Sequence, residues 1–445
     1  MWRLFLVAFF VFSARAELRL STFDIDVTPP IGSMMAYDRV TNHWDLGLRA
    51  RGVVLLGAGE PIILCSVDWI GIANESHDTF CESLAKAAGT TPDRVSVHTI
   101  HQHDAPDCDF SAEAILKKAG LETGQYESTF QRQALSNLAA AVSRSLNSAQ
   151  PLTHVGLGSA VVEKVASSRR IYGPDGKVRA VRYTACEDPK LRAEPEGTID
   201  PVVSLISFWN NDKPIAVLSY YATHPQSYYR TGVPNPDFPG IARFIRQMEI
   251  PAALHVHFNG AGGNIGAGKY NDGSPTNRFI LAQRLAEGMR RAWANTKKEP
   301  ISPNQVNWKS ESVGIAPGSH LAAEKLHAEM AATNATFITR AAASRLAWVE
   351  RCAQGRKLAV SCLSLGRARV LHVPGELFVE YQLAAKAQCP DLFVTMAAYG
   401  DYGPWYIGTA KAYDEGGYET SPGATNVGPD AEPILNAAIS RLLHD

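Results

Sequence analysis

Val95-Ser96-Val97-His98-Thr99-Ile100-His101-Gln102-His103-Asp104-Ala105-Pro106 reads as a β-branched strand that runs into a His-x-His pair and stops at a proline turn. Two imidazoles at i and i+2 lie on one face of an extended chain, where both can address one ion or one ligand. Zinc is the ion this chemistry favours, because neutral imidazole suits it and it is redox-silent. Ordinary core or surface histidines would give the same letters, so the metal reading depends on ligands elsewhere in the chain.

Outward from this stretch, strand followed by histidine recurs. Two β-branched runs, 202–208 and 214–220, form a hairpin around 210–213 and lead into Thr223-His224-Pro225. A third run, 252–258, enters the glycine-rich 259–269, and a fourth, 369–374, leads into Gly375-Glu376. Runs at 52–56 and 61–68, with helical patterns at 76–88, 126–146, 321–351 and 435–443, complete an alternation that predicts an α/β fold: a mixed β-sheet core with flanking helices. Residues 166–201 are polar and Gly/Pro-bearing, and read as an excursion loop. No internal repeat, low-complexity linker or charge run calls for a second domain, so 17–445 is expected to be a single large catalytic domain. Catalytic groups of α/β proteins gather at strand ends and in the loops beyond them.

The first 16 residues carry Arg3, an apolar run from Leu4 to Phe12 and Ala14-Arg15-Ala16, the pattern of a secretory signal with its cleavage site. The mature chain is therefore expected to be secreted or periplasmic. No later segment approaches the ~20 apolar residues of a membrane helix, which leaves only peripheral contact with a bilayer. Lys plus Arg number 43 against 44 for Asp plus Glu, so no basic field points to nucleic acid. The seven cysteines are scattered without a CxxC; an exported chain could pair some of them, but the odd number leaves at least one thiol over.

Gly263-Asn264-Ile265-Gly266-Ala267-Gly268-Lys269 satisfies the spacing of a phosphate-binding loop. Tyr270 stands where a magnesium-binding hydroxyl belongs, and Asn271-Asp272-Gly273-Ser274-Pro275 is a turn that gives no helix dipole to an anion. A tight backbone passage beside an active site explains the glycines better.

Taken together, Asp24-Ile25-Asp26-Val27-Thr28-Pro29-Pro30-Ile31-Gly32, the His101 to Pro106 segment, His224-Pro225, Gly262-Gly263-Asn264, Pro374-Gly375-Glu376 and the 406–419 tail resemble, in that order, the catalytic domain of neutral/alkaline ceramidases. The resemblance implies one Zn2+ held by His101, His224, Glu376 and Tyr406, with Tyr406 preferred to Tyr402 by its spacing from Tyr418. It further implies His103, Tyr418 and Arg169 as catalytic partners, with Arg170 an alternative to Arg169. Asp68 and Asp237 are candidates to orient a histidine, or else to cap a turn or helix. The chain departs from the family's usual pattern at Ile100-His101-Gln102-His103-Asp104-Ala105-Pro106 and at Asn264 and Gly266, and the appended C-terminal sandwich domain of full-length ceramidases is not expected within 17–445. No Gly-x-Ser-x-Gly elbow is present, so water rather than serine is the expected nucleophile. The activity implied is zinc-dependent hydrolysis of an N-acyl, ceramide-like amide. A zinc-dependent esterase or other hydrolase on the same scaffold, and a noncatalytic lipid- or carbohydrate-binding protein, are the alternatives.

Overall fold

A computed structural model describes residues 17–332 and 336–444. The expected signal segment lies outside the described residues. Three sheets carry the fold. The first has the strand order Val95–Thr99, Ile62–Val67, Arg49–Leu56, Arg19–Asp26, Gln150–Pro151. The second runs Leu254–Asn259, Lys213–Tyr221, Val202–Asn210, His154–Val161, Lys297–Pro300, and the third Val306–Val313, Leu358–Leu365, Ala368–His372, Phe393–Ala397.

Period-2 alternation decides how the sheets stack. Val53, Leu55, Ile62 and Leu64 face inward to a core shared with Ile206, Phe208, Leu218 and Phe258 of the second sheet and Trp308, Leu363 and Val370 of the third. The intervening Val54, Ile63 and Cys65 face outward onto the helices Glu75–Ala88 and Thr129–Ser145. The second sheet's outer face, with Val203, Leu205 and Val217, is covered by Asp237–Glu249 and Thr276–Ala294. The third's, with Val360, Cys362 and Leu371, is covered by Val379–Gln388 and Ala431–His444. This is the mixed α/β architecture expected.

Each sheet is mainly antiparallel but ends in one parallel pair: Ile62–Val67 with Val95–Thr99, Lys213–Tyr221 with Leu254–Asn259, Ala368–His372 with Phe393–Ala397. A parallel pair needs a crossover, and the helices Glu75–Ala88, Asp237–Glu249 and Val379–Gln388 supply the three. The architecture thus repeats three times although the sequence shows no repeat, because helices and loops of different lengths separate the units. The parallel strands meet at the centre, where Leu254–Asn259 lies against strands of both other sheets. The loops beyond their C-terminal ends carry His101 and His103, His224, the glycine loop, Glu376, and Tyr402 and Tyr406.

Local expectations need two corrections. The 166–201 excursion is structured: Ser167–Ser168 pairs with Ile265–Gly266, Arg170–Tyr172 with Val178–Val181, and Pro189–Ala193 is a short helix. Strands of two to four residues are too short to print a periodicity. Asp68 does not reach a histidine; it grips Arg243 with both oxygens at 2.7 Å. Asp237 begins a helix and accepts the backbone N–H groups of Ser227 and Phe238, the capping alternative. All seven cysteines are free. No helix among the described residues is long and apolar enough to cross a membrane.

Candidate metal centre

His101 follows the strand Val95–Thr99 in a left-handed conformation, φ 65°, which is costly for a side chain with a Cβ and persists only where neighbours enforce it. Its backbone N–H is held by the Trp69 carbonyl at 3.0 Å, and its Nδ1 donates to the Ile70 carbonyl at 2.6 Å. With the proton on Nδ1, the Nε2 lone pair points at Glu376 Oε2, 3.2 Å away. His224 Nδ1 faces the same carboxylate oxygen at 3.5 Å, and its Nε2 lies 3.0 Å from His103 Nε2. The coordinating atoms of His101, His103 and His224 all fall within 4.8 Å of one another.

The glycine loop makes this convergence possible. A Cβ on Gly262 would sit 2.8 Å from the Thr223 carbonyl carbon, and one on Gly263 would press on the Glu376 carbonyl. The two glycines let the backbones bearing His224 and Glu376 close on each other. Asn264 then bolts the loop down, its Oδ1 accepting from Val379 N and its Nδ2 donating to Glu380.

Glu376 is almost wholly buried, at 1% exposure. Tyr402 donates to its Oε1 at 2.7 Å, but among the described residues Oε2 has no hydrogen-bond donor and His224 Nδ1 no hydrogen-bond partner. Lone pairs facing a carboxylate oxygen in a buried site repel unless a cation lies between them. Ligand atoms about 2.0–2.1 Å from one zinc in a tetrahedron are about 3.3–3.4 Å apart, which the 3.2 and 3.5 Å separations match. Burial, reinforced by the charge of Arg169, holds His103 and His224 well below the ordinary histidine pKa, so both imidazoles are in the neutral, coordinating form. The donor set fits zinc.

The remaining expected residues are placed around this point. Tyr406 stacks parallel to His224 with ring centroids 6.3 Å apart, and its hydroxyl accepts from Arg169 Nη1 at 3.0 Å. Burial raises the Tyr406 pKa while Arg169 opposes the rise. Arg169 is fixed by Glu419, 3.2 Å from its Nε, and its guanidinium lies 5.5 Å over the Tyr418 ring. Arg170 takes the other oxygen of Glu419 at 3.4 Å and turns on to Glu415 and the Ala412 carbonyl, whereas Arg169 turns to Tyr406. Tyr418, 39% exposed, stands at the outer edge of the group. A cavity of about 590 Å³ opens onto the cluster, walled by these residues with Tyr37, Tyr183, Phe337, Ile338 and Trp405 among others. Sequence reasoning passed over Tyr402, Glu419 and Tyr37, which stacks on His103 at 5.4 Å. Only Tyr402 left a signal, as the alternative to Tyr406.

The sequence matches no protein-family model and no curated protein. The fold, however, is that of ceramidases. Neutral ceramidase from Pseudomonas aeruginosa superimposes with a TM-score of 0.65 at 16% identity, over 96% of this chain and 73% of that one. A ceramidase complexed with C2 gives 0.67, also at 16% identity, over 97% and 74%.

Proposed function

We propose that this protein is an exported zinc-dependent amidohydrolase that cleaves an N-acyl, ceramide-like amide. The observation that carries the proposal is the pair of imidazole nitrogens directed at the donor-less Oε2 of Glu376 on the floor of a partly apolar cavity. His101, His224 and Glu376 would hold the metal, with the Tyr406 oxygen as the fourth ligand. Zinc there would supply a Lewis acid and a water activated near neutral pH.

The chain's own groups do the rest. Ile70 fixes the tautomer of His101, and Tyr402 fixes Glu376, the outer hydrogen bonds that orient a ligand set. With His224 Nδ1 committed to the metal, its Nε2 carries the proton and donates to His103 Nε2. His103 then keeps its own proton on Nδ1, an unspent donor. This donor and the Tyr418 hydroxyl stabilise negative charge developing on the carbonyl oxygen, each contributing ~3 kcal/mol. Arg169 holds the Tyr406 oxygen and adds positive charge beside it. The apolar side chains at the cavity mouth, Phe337 at 57% and Ile338 at 53% exposure, suit an acyl chain.

The test is hydrolysis of long-chain N-acyl amides and the matching O-acyl esters by the purified protein, with and without chelator, alongside metal analysis. Zinc-dependent release of amine is expected. Cleavage of esters alone would reassign the protein as an esterase, and turnover that survives complete zinc removal would overturn the proposal.

A further inference from the structure

The loop between His224 and the helix Asp237–Glu249 holds no helix or strand of its own, so side chains must satisfy and fix its backbone. Asp104, the residue after His103 and 2% exposed, supplies much of that hold. Its Oδ1 accepts the backbone N–H groups of Arg230 at 2.8 Å and Thr231 at 3.3 Å, and its Oδ2 accepts the Thr231 hydroxyl at 2.8 Å. Its carbonyl accepts Asn235 N at 2.9 Å. Behind it the buried Arg278 reaches Asp104 Oδ2 at 3.4 Å and Asp237 Oδ2 at 3.5 Å, and donates to the Tyr228 carbonyl at 2.6 Å. One carboxylate and one guanidinium therefore tie the loop 227–235 to the stretch that carries His103.

That loop bears Tyr229, whose ring meets His103 edge-on with centroids 5.3 Å apart. Tyr37 stacks on the same imidazole at 5.4 Å, and the two tyrosines touch at 4.9 Å. The segment of Tyr37 is bonded to the loop as well: Gly232 N–H donates to Asp38 Oδ2 at 2.7 Å, and the Gly232 carbonyl accepts Thr41 N at 2.8 Å. Both tyrosine walls of His103 thus hang on the loop that Asp104 holds. The imidazole needs them. His103 Nε2 lies 3.0 Å from His224 Nε2, while Nδ1 has no partner among the described residues. One hydrogen bond fixes a point on the ring but not its plane, and the χ2 torsion of a histidine is intrinsically broad, so packing on the ring has to set the plane.

We propose that Asp104 is a positioning residue: by clamping the loop 227–235 it holds Tyr229 and Tyr37 against His103, and so aims the His103 Nδ1–H donor. The proposal rests on the role given to His103 above and adds what keeps that donor in place. A carboxylate suits the task because both of its oxygens accept; an amide there keeps one acceptor, so either the backbone of Arg230 and Thr231 or the edge facing Arg278 meets N–H groups instead.

The test is Asp104→Asn in the full, zinc-loaded protein. With a long-chain N-acyl amide, kcat should fall ~10-fold or more while KM changes by less than about threefold, the mark of a misplaced group that acts in the transition state. Zinc should stay at one per chain. In a His103→Gln background the same substitution should lower kcat by less than about twofold, because the donor it misplaces is already gone. Tyr229→Leu, which leaves the bonds of Asp104 intact, should reproduce the loss of kcat. Two readouts need no turnover: trypsin should cut after Arg230 ~tenfold or more faster in Asp104→Asn than in the wild type, and NMR spectra of protein with isotope-labelled histidine should show the His103 Nδ1–H signal shifted or broadened. An equal loss of kcat with and without His103, zinc lost in step with kcat, or an undiminished kcat in Tyr229→Leu overturns the proposal. So does wild-type resistance to trypsin together with an unaltered His103 signal. If the wild-type protein hydrolyses no amide, the amidohydrolase falls, and proteolysis and the spectra still decide the clamp.

Discussion

Among the described residues, two groups of side chains have the spacing to hold a metal ion: His101, His103 and His224, and the group His77, Asp78 and Asp401. They differ in where the positive charge comes from. Arg351 grips both oxygens of Asp78 at 2.6 and 2.9 Å and reaches Asp401 at 3.0 Å, while Asp401 Oδ1 accepts the backbone N–H groups of Asn74 and Gly403. That region carries its own cation. Glu376 meets imidazoles instead, and no lysine or arginine among the described residues pairs with it. Proximity of ligand-type residues is common to both; an unanswered carboxylate facing lone pairs in a cavity belongs to one. A third set of histidines sharpens the point. His98 and His372, 3.1 Å apart in the core between the sheets, are equally buried, yet the former is hydrogen-bonded to Ser96 and the Ala398 carbonyl, and neither opens onto the cavity beside a carboxylate.

The comparison breaks most directly at the ligands. His101→Ala or Glu376→Ala should reduce zinc from one per chain to nearly none by atomic emission. Turnover should fall by more than the ~100-fold expected of a residue that only orients a ligand, with the circular dichroism spectrum retained. Full metal and activity in either variant would end the assignment. Arg351→Ala should do the reverse, costing about 3 kcal/mol in urea denaturation because Asp78 and Asp401 lose their counter-charge, with zinc per folded chain unaltered. Tyr402→Phe removes one hydrogen bond to Glu376 and should weaken zinc affinity ~10-fold or more in a competition titration while leaving the fold stable.

The smallest and most gradual effect is one of pH. Burial holds His98 and His257 down to about 3 from 6.5, so below pH 6.5 the unfolded chain binds protons that the folded chain refuses. Stability should be full above pH 6.5 and decline steadily as the pH falls towards 3. Thermal unfolding of the zinc-free protein across that range measures it; a flat profile would mean these histidines are not desolvated as described.

Much of the scaffold was legible because its signals are local. Alternating residues such as Val53, Val54 and Leu55 point to opposite faces of a strand whatever lies beyond, and the helices at 75–88 and 129–145 announced themselves within three residues of their ends. His101, His103 and His224 stood out because each follows a strand. Glu376 and Tyr406 do not stand out; an acidic residue after Pro-Gly and a tyrosine among Tyr402, Trp405 and Tyr406 became candidates only through the ordered resemblance. Arg169, on a stretch taken for a loop, was inseparable from Arg170, because side chains on neighbouring residues leave a strand in opposite directions and only the partner elements show which one faces in.

By itself the sequence determined the alternation of strands and helices, the imidazoles at strand ends and the glycines that permit close approach, since each follows from covalent geometry and the period of the local backbone. Tertiary structure alone decided that three sheets share one core, that Tyr402 holds Glu376, and that Arg351 pairs with Asp78 and Asp401. Those are contacts between segments far apart along the chain, made when packing removes water, and neither the charge a buried group feels nor the donor it lacks is written in its neighbours in sequence.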